Sequence, residues 1–312
     1  MSRISRVLFI GSKQLGLRVL QEMQALSPRA LIGALTIDDH NDTRTRFADY
    51  QAFAQRQGLE LRVGKNRKHA EQIIAELKPD LCLVVGWYWL ISNTALNSVP
   101  FGFIGIHNAL LPKFRGGSPL IWSILRDEKE VGISVFSFTS GMDDGPIWAQ
   151  QTVSVGENDY ISSVLTELEN KTIALFKRLY PKLLDRSIKP VEQNHQLATY
   201  CTQRFPEDGN INWQDPARNV CRFIRAQSDP YPGAFTYFEG ERLTIWKASL
   251  SPKVYIGAPG QVARLASKGV YVICGDDRAI ILEEVELRGK RGKATDSIKS
   301  IKGRMTAFRS IT

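Results

Sequence analysis

The sequence predicts an α/β protein in two parts, a doubly wound parallel sheet over residues 1–205 followed by a small antiparallel β-barrel over 206–312. Three observations predict it. In the first part short apolar runs alternate with stretches of helical period, the pattern of βαβ units. After Phe205 turn signals become dense (PEDGN, DPYPG, FEGE, APGQ, GDDR) and separate short alternating runs, which suits a barrel. No apolar run reaches the roughly 18 residues that a membrane-spanning helix needs.

Taken in order, RVLFIG (6–11) reads as a buried strand and GSKQLGLRVLQEMQAL as the helix after it. Further strands are expected at ALIGALTI (30–37), LELRV (59–63), LCLVVGW (81–87), GFIGIH (102–107) and GISVFSF (132–138), with helices near 44–58, 68–78, 118–126 and 160–184. In the second part AFTYF, RLTIWKA, GVYVIC and AIILEEVEL are the strand candidates. The two parts correspond to a Rossmann-like sheet and an OB-like barrel. GSKQLG at 11–16 lacks the second glycine of a dinucleotide fingerprint, since Lys13 stands there, which argues against a nicotinamide cofactor.

Of 312 residues 43% are apolar and 23% charged, the composition of an ordinary globular protein. The net charge of +9 favours an anionic partner such as a nucleotide, a polyglutamylated cofactor or RNA. Residues 288–312 carry eight Lys/Arg against Asp296 alone, either a solvated tail or an anion-binding surface. The N-terminus enters a strand-like run with no leader pattern, and a cytoplasmic location is expected. Cys82, Cys201, Cys221 and Cys274 are widely separated and form no C-x-x-C pair, so small buried thiols are expected and neither zinc nor disulfides.

Of the four histidines, His40, His69 and His195 lie in polar surroundings and His107 ends a buried strand. A strand-terminal histidine is either a satisfied core residue or a functional one. GMDDGPI (141–147) follows another strand, and its acidic pair could reach the imidazole. A carboxylate–histidine pair that moves a proton is worth roughly 10²- to 10⁴-fold in rate.

LLPKFRG after His107, D-x-G at 143–145, PEDGNINW opening the second part and RAQSDPYPGAFTYFEGERLTIWKA within it together resemble the 10-formyltetrahydrofolate-dependent formyltransferases, over essentially the whole chain. The resemblance implies formyl transfer from 10-formyltetrahydrofolate to a primary amine, without a metal. His107 matches the histidine of the family's Asn-x-His motif and Asp143 its aspartate, which would orient the histidine, while Asp144 falls on a variable position. The asparagine, a donor to the oxyanion, is replaced by Gly105. Three arrangements are compatible with that: Asn108 supplies the amide, a backbone N–H or water donates where glycine leaves room, or the site is impaired and the protein is a folate-binding pseudoenzyme.

The same resemblance places the pteridine ring against Gly86, Trp87, Tyr88, Trp89 and Leu90, and against Thr139, Ser140, Gly141 and Met142. The aromatic run GWYWLI suits a flat ring in an apolar slot, or ordinary packing at a strand end. Lys113 and Arg115 would meet an acceptor phosphate or the folate glutamate, or else pin their loop. Relatives that act on initiator tRNA carry a basic loop after the second strand. Here DDHNDTRTRF (38–47) balances its charges, and PLIW and DPYPGAFTY resemble the sugar enzymes more closely. The expected acceptor is therefore the amine of a nucleotide-linked amino sugar, with methionyl-tRNA as the alternative. A homodimer is left open.

Overall fold

The computed structural model describes residues 3–307, so Arg309 of the basic C-terminal stretch lies outside the described residues. In chain order the elements are β1 (Val7–Gly11), α1 (Lys13–Leu26), β2 (Leu31–Ile37), α2 (Phe47–Gln57), β3 (Leu61–Gly64), α3 (Arg67–Leu77), β4 (Leu81–Val85), α4 (Asn93–Ser98), β5 (Phe103–His107), β6 (Arg115–Gly116), α5 (Pro119–Leu125), β7 (Glu130–Ser137), β8 (Ile147–Ser154) and α6 (Ile161–Leu184). They continue with β9 (Tyr200–Cys201), α7 (Ala217–Gln227), β10 (Ala234–Phe238), β11 (Glu241–Val254), β12 (Val262–Ala266), β13 (Gly269–Ile273), β14 (Arg278–Leu287), β15 (Lys290–Lys293), α8 (Ala294–Ser297) and β16 (Met305–Thr306). Two compact units result, one of residues up to 120 with 130–154 and 166–202, the other of 121–129, 155–165 and the residues from 203 on.

The first unit is built on a sheet in the order β3-β2-β1-β4-β5-β7-β8. Its strands β1 to β5 pair in parallel. Strands β1 and β4 are buried along their whole length, as the uninterrupted apolar runs VLFIG and LCLVV require when helices cover both faces. The sheet does not stay parallel, however: β7 pairs antiparallel to β5 and β8 antiparallel to β7. Strand β8 (IWAQQTVS) escaped the sequence reading because its polar, half-exposed pattern carries little apolar signal.

The second unit holds an antiparallel sheet in the order β12-β13-β14-β11-β10-β16, with β15 on β14. Bulges along β11 curl it, and a single bridge between Gln261 and Arg304 joins its end strands. Its core includes Ala217, Val220, Cys221 and Ile224 of α7, packed with Leu243, Ile245 and Leu282 of the sheet. This helix was not expected from the sequence, where flanking turn signals mask a short amphipathic segment. The four cysteines are free thiols, and Cys201 is only partly buried, unlike the other three. No helix among the described residues is long and apolar enough to cross a membrane.

Candidate active site

Strand β5 delivers His107 to the end of the sheet, with its side chain 11% exposed. The register pairs His107 with Ser134 and Ile104 with Ser137, so β7 ends beside the start of β5, away from the histidine. The acidic loop therefore reaches His107 by folding back along β5 rather than by continuing off a parallel strand. Phe138 begins this return, its N–H donating to Phe103 O at 2.8 Å, and Asp143 completes it with Oδ2 at 3.6 Å from His107 Nδ1.

The chain after His107 is fixed at several points. Ser134, fully buried, donates to Ala109 O at 2.7 Å and accepts from Leu111 N–H at 3.0 Å. Farther on, Phe114 N–H donates to Thr199 Oγ1 at 2.9 Å, and β6 pairs in parallel with β9. This brings Phe114 O to 2.8 Å from His107 Nε2. A carbonyl only accepts, so Nε2 carries the proton in the neutral ring and Nδ1 presents a lone pair beside Asp143. The tautomer is thus set by Phe114, whereas the sequence reading gave that task to the aspartate.

Asp143 Oδ2 also accepts from Gly116 N–H at 2.8 Å. Gln193, 5% exposed, holds the acidic loop through its amide, which donates to Asp143 O at 2.9 Å and Gly145 O at 2.7 Å. Its Oε1 accepts from Arg115 at 2.7 and 3.2 Å. Arg115 is 2% exposed and meets Tyr200 Oη at 3.2 Å and His195 Nδ1 at 3.1 Å as well. It pins the loop, the second of the two roles open to it, and its burial withholds it from an external phosphate. Lys113 is exposed.

Gly105 is not open space. A Cβ built on it would lie 2.2 Å from Phe138 Cε1 and 2.7 Å from Cζ, so the ring fills the volume where a side chain would stand. A water lodged there in place of an asparagine amide is accordingly ruled out at that position. Asn108 keeps a carboxamide oxygen that is buried without a hydrogen-bond partner, a feature that calls for an explanation.

The loop from Gly86 to Leu90 follows β4. Trp87 and Trp89 meet edge to face at 5.1 Å and, like Phe138, pack on the cluster formed by Leu8, Ile10, Val84 and Phe103. Tyr88 (48% exposed), Leu90 (83%) and Met142 (58%) stand out toward solvent. Thr139, Ser140 and Gly141 are exposed too, with Asp144 accepting a hydrogen bond from Thr139. Exposed apolar side chains on both loops, and a Trp87 indole N–H buried without a partner, fit a flat heteroaromatic ligand. No group of three or more His, Cys, Asp or Glu among the described residues could hold a metal ion.

Phe114, Gln193 and Phe138 were not singled out from the sequence. A backbone carbonyl and a lone glutamine in a polar stretch carry no pattern, but an aromatic residue facing a strand glycine is a readable hint.

Comparison with known proteins agrees with this geometry. The family model described as formyl transferase matches residues 29–183, and that for the formyl transferase C-terminal domain matches 204–302. The chain is 26% identical over 302 residues to a methionyl-tRNA formyltransferase of Bacillus velezensis, covering 95% of both chains. It is 28% identical over 281 residues to the bifunctional polymyxin resistance protein ArnA of Wigglesworthia glossinidia brevipalpis, covering 88% of this chain and 42% of that one. An N-formyltransferase from Helicobacter canadensis, solved with folinic acid and dTDP-3-aminofucose, shares the fold with a TM-score of 0.67 at 16% identity, over 90% of this chain and 99% of that one.

Proposed function

The chain belongs to the formyltransferase family, and from that premise we propose that it passes the formyl group of 10-formyltetrahydrofolate to the primary amine of a nucleotide-linked amino sugar, with His107 and Asp143 moving the proton. The observation that carries the reading is the His107 Nδ1 lone pair facing Asp143 Oδ2 at 3.6 Å, with Nε2–H committed to Phe114 O.

When bound, the donor supplies an electrophilic formyl carbon and a leaving nitrogen. As the amine adds, Nδ1 of His107 takes its proton and the Asp143 carboxylate stabilises the resulting imidazolium. The proton then passes from Nδ1 to the departing folate nitrogen. Negative charge grows on the formyl oxygen, and Asn108, whose carboxamide has no other partner, donates to it; Phe138 occupies the place from which an asparagine at 105 would have done so. Trp87, Tyr88, Trp89, Leu90 and Met142 border the pterin slot, Lys113 faces the acceptor, and the reaction runs in the cytoplasm.

The sugar acceptor is favoured over RNA because the charged loop after β2 spends its cations internally: Lys13 on Asp39 and Asp42, Arg44 on Asp42 and Arg46 on Asp49. Methionyl-tRNA is the second reading, supported by the surface at 288–304, where Lys290 and Lys293 are exposed.

The deciding assay offers 10-formyltetrahydrofolate with a panel of amino-sugar nucleotides and with methionyl-tRNA, and follows tetrahydrofolate release. Turnover with a sugar nucleotide, lost in His107→Ala and Asp143→Ala while 5-formyltetrahydrofolate still binds, is expected. Undiminished turnover in both variants would refute the assignment, and folate binding with no turnover on any amine would make the protein a sensor.

A further inference from the structure

Outside the His107–Asp143 pair, the densest polar cluster of the first unit lies at the carboxyl ends of β1, β2 and β4, where the order of strands reverses and α/β sheets bind their ligands. Lys13 Nζ lies 2.6 Å from Asp39 Oδ2 and 2.7 Å from Asp42 Oδ2. Arg44 donates to both oxygens of Asp42, from Nε at 3.2 Å and Nη2 at 3.1 Å, and its backbone N–H adds a bond of 2.8 Å. Asp39 accepts from Thr45 as well.

The target of this mesh is Tyr88. Its hydroxyl donates to Asp42 Oδ2 at 2.9 Å and lies 3.4 Å from Asp39 Oδ2, while Lys13 Nζ sits 5.0 Å from the centre of its ring. Ser12 Oγ donates to Gly86 O at 2.6 Å, a second tie to the same loop. Trp87 and Trp89 anchor inward on the core, so Tyr88 between them faces out and is held from the side by the loop after β2. Lys13, Asp39 and Asp42 are 17%, 7% and 24% exposed, so they interact in a poorly screened setting where losing one partner strands the others.

We propose that the loop after β2 is a latch on the loop 86–90, with Lys13 and Asp42 acting as positioning residues that hold Tyr88 and thereby shape the slot for the formyl donor. This rests on the placement of the donor against 86–90 in the proposed function. It also gives the loop a task that leaves no cation for a nucleic acid: Lys13 and Arg44 are both turned onto its own carboxylates.

The test measures 5-formyltetrahydrofolate binding by calorimetry, with no acceptor present, in the full chain and in Asp42→Asn, Lys13→Met, Lys13→Arg and Tyr88→Phe. Asp42→Asn and Lys13→Met are expected to weaken binding about tenfold, the effect of one hydrogen bond to a charged group. Tyr88→Phe is expected to weaken it by a smaller factor, and Lys13→Arg to keep most of it. Hydrogen exchange adds a readout that general destabilisation would not give: amides of 86–90 exchange about tenfold faster in Asp42→Asn, while those of β1 and β4 keep their protection. Folate affinity unchanged in Asp42→Asn and Lys13→Met would overturn the latch alone. Lys13→Met that weakens methionyl-tRNA binding and leaves folate untouched would also overturn it, in favour of an RNA arm. A wild-type chain that binds no folate would overturn the proposed function and the latch with it.

Discussion

Restoring an asparagine at position 105 should damage this protein unless Phe138 is removed with it. Carbon atoms pack best at about 3.5–4.0 Å, and a Cβ on Gly105 would meet Phe138 Cε1 at 2.2 Å and Cζ at 2.7 Å. The ring must therefore move by roughly 1.3 Å before contact becomes tolerable. It cannot slide freely, because Phe136 stands 5.2 Å behind it, ring centre to ring centre. Overpacking of this kind costs about 1–3 kcal/mol, and with two ring atoms inside contact distance we expect about 3 kcal/mol for Gly105→Asn. That corresponds to a drop in Tm of roughly 6–12 °C. Phe138→Ala, at a half-buried position, should cost about 2–3 kcal/mol, below the value for a fully buried ring. The double variant should be less destabilised than the sum, by an interaction energy of about 1–3 kcal/mol, since the new carboxamide enters the space the ring vacates. Thermal unfolding of the four proteins measures the cycle, and formyl transfer in the double variant shows whether the restored amide serves. Wild-type stability in Gly105→Asn, or strict additivity in the cycle, would refute the claim that the ring fills that volume.

Arg115→Met should destabilise the chain by about 3–5 kcal/mol, because Gln193, Tyr200 and His195 lose a buried donor at once; an effect confined to acceptor KM at full stability would instead make Arg115 a substrate ligand. Burial, and then the charge of Asp143, pushes the Cys201 thiol up to about 11, so iodoacetamide at pH 8 should label it far more slowly than an ordinary exposed cysteine. Burial first of all pushes Cys221 and Cys274 up to about 12, from an ordinary 9.0. Between those values the unfolded chain binds fewer protons than the folded one, so stability should hold below pH 9 and decline from there toward 12, as denaturant titrations across that range would show. If the chain does not act on RNA, its binding to tRNA should be weak at physiological salt and collapse steeply as salt rises, without discrimination for methionyl-tRNA.

Much of the fold was legible. The runs around β1, β2, β4 and β5 are apolar and bounded by helical periods, and pattern reading finds such segments easily. Strand β8 and helix α7 were not legible, since the first is half polar and the second is short and enclosed by turn residues. His107 and Asp143 stood out because titratable groups at strand ends are few. How they meet did not: nothing in GMDDGPI says that β7 runs antiparallel and that its loop must double back. Arg115 shows the same limit. A basic residue in a Gly-rich turn looks like a surface cation, and only the tertiary partners Gln193, Tyr200 and His195 reveal that it is interior. Gly105 was noticed for what it lacks, and its reason lies in a ring 33 positions farther on, at Phe138.

The clamp on the acidic loop also has an implication for biosynthesis. Every strand of the large sheet, together with His107 and Asp143, has left the ribosome by the time Ser154 is made. Gln193, Thr199 and the pairing strand β9 come some forty residues later, after the long helix α6. A nascent chain can therefore own its sheet before it owns its reaction centre, and a chain stopped at Leu184 would keep the two reacting side chains with nothing to hold Phe114 O or the Asp143 loop in place. Assembly of the chemistry is deferred to the last stretch of the unit, which keeps an incomplete enzyme from spending formyl groups.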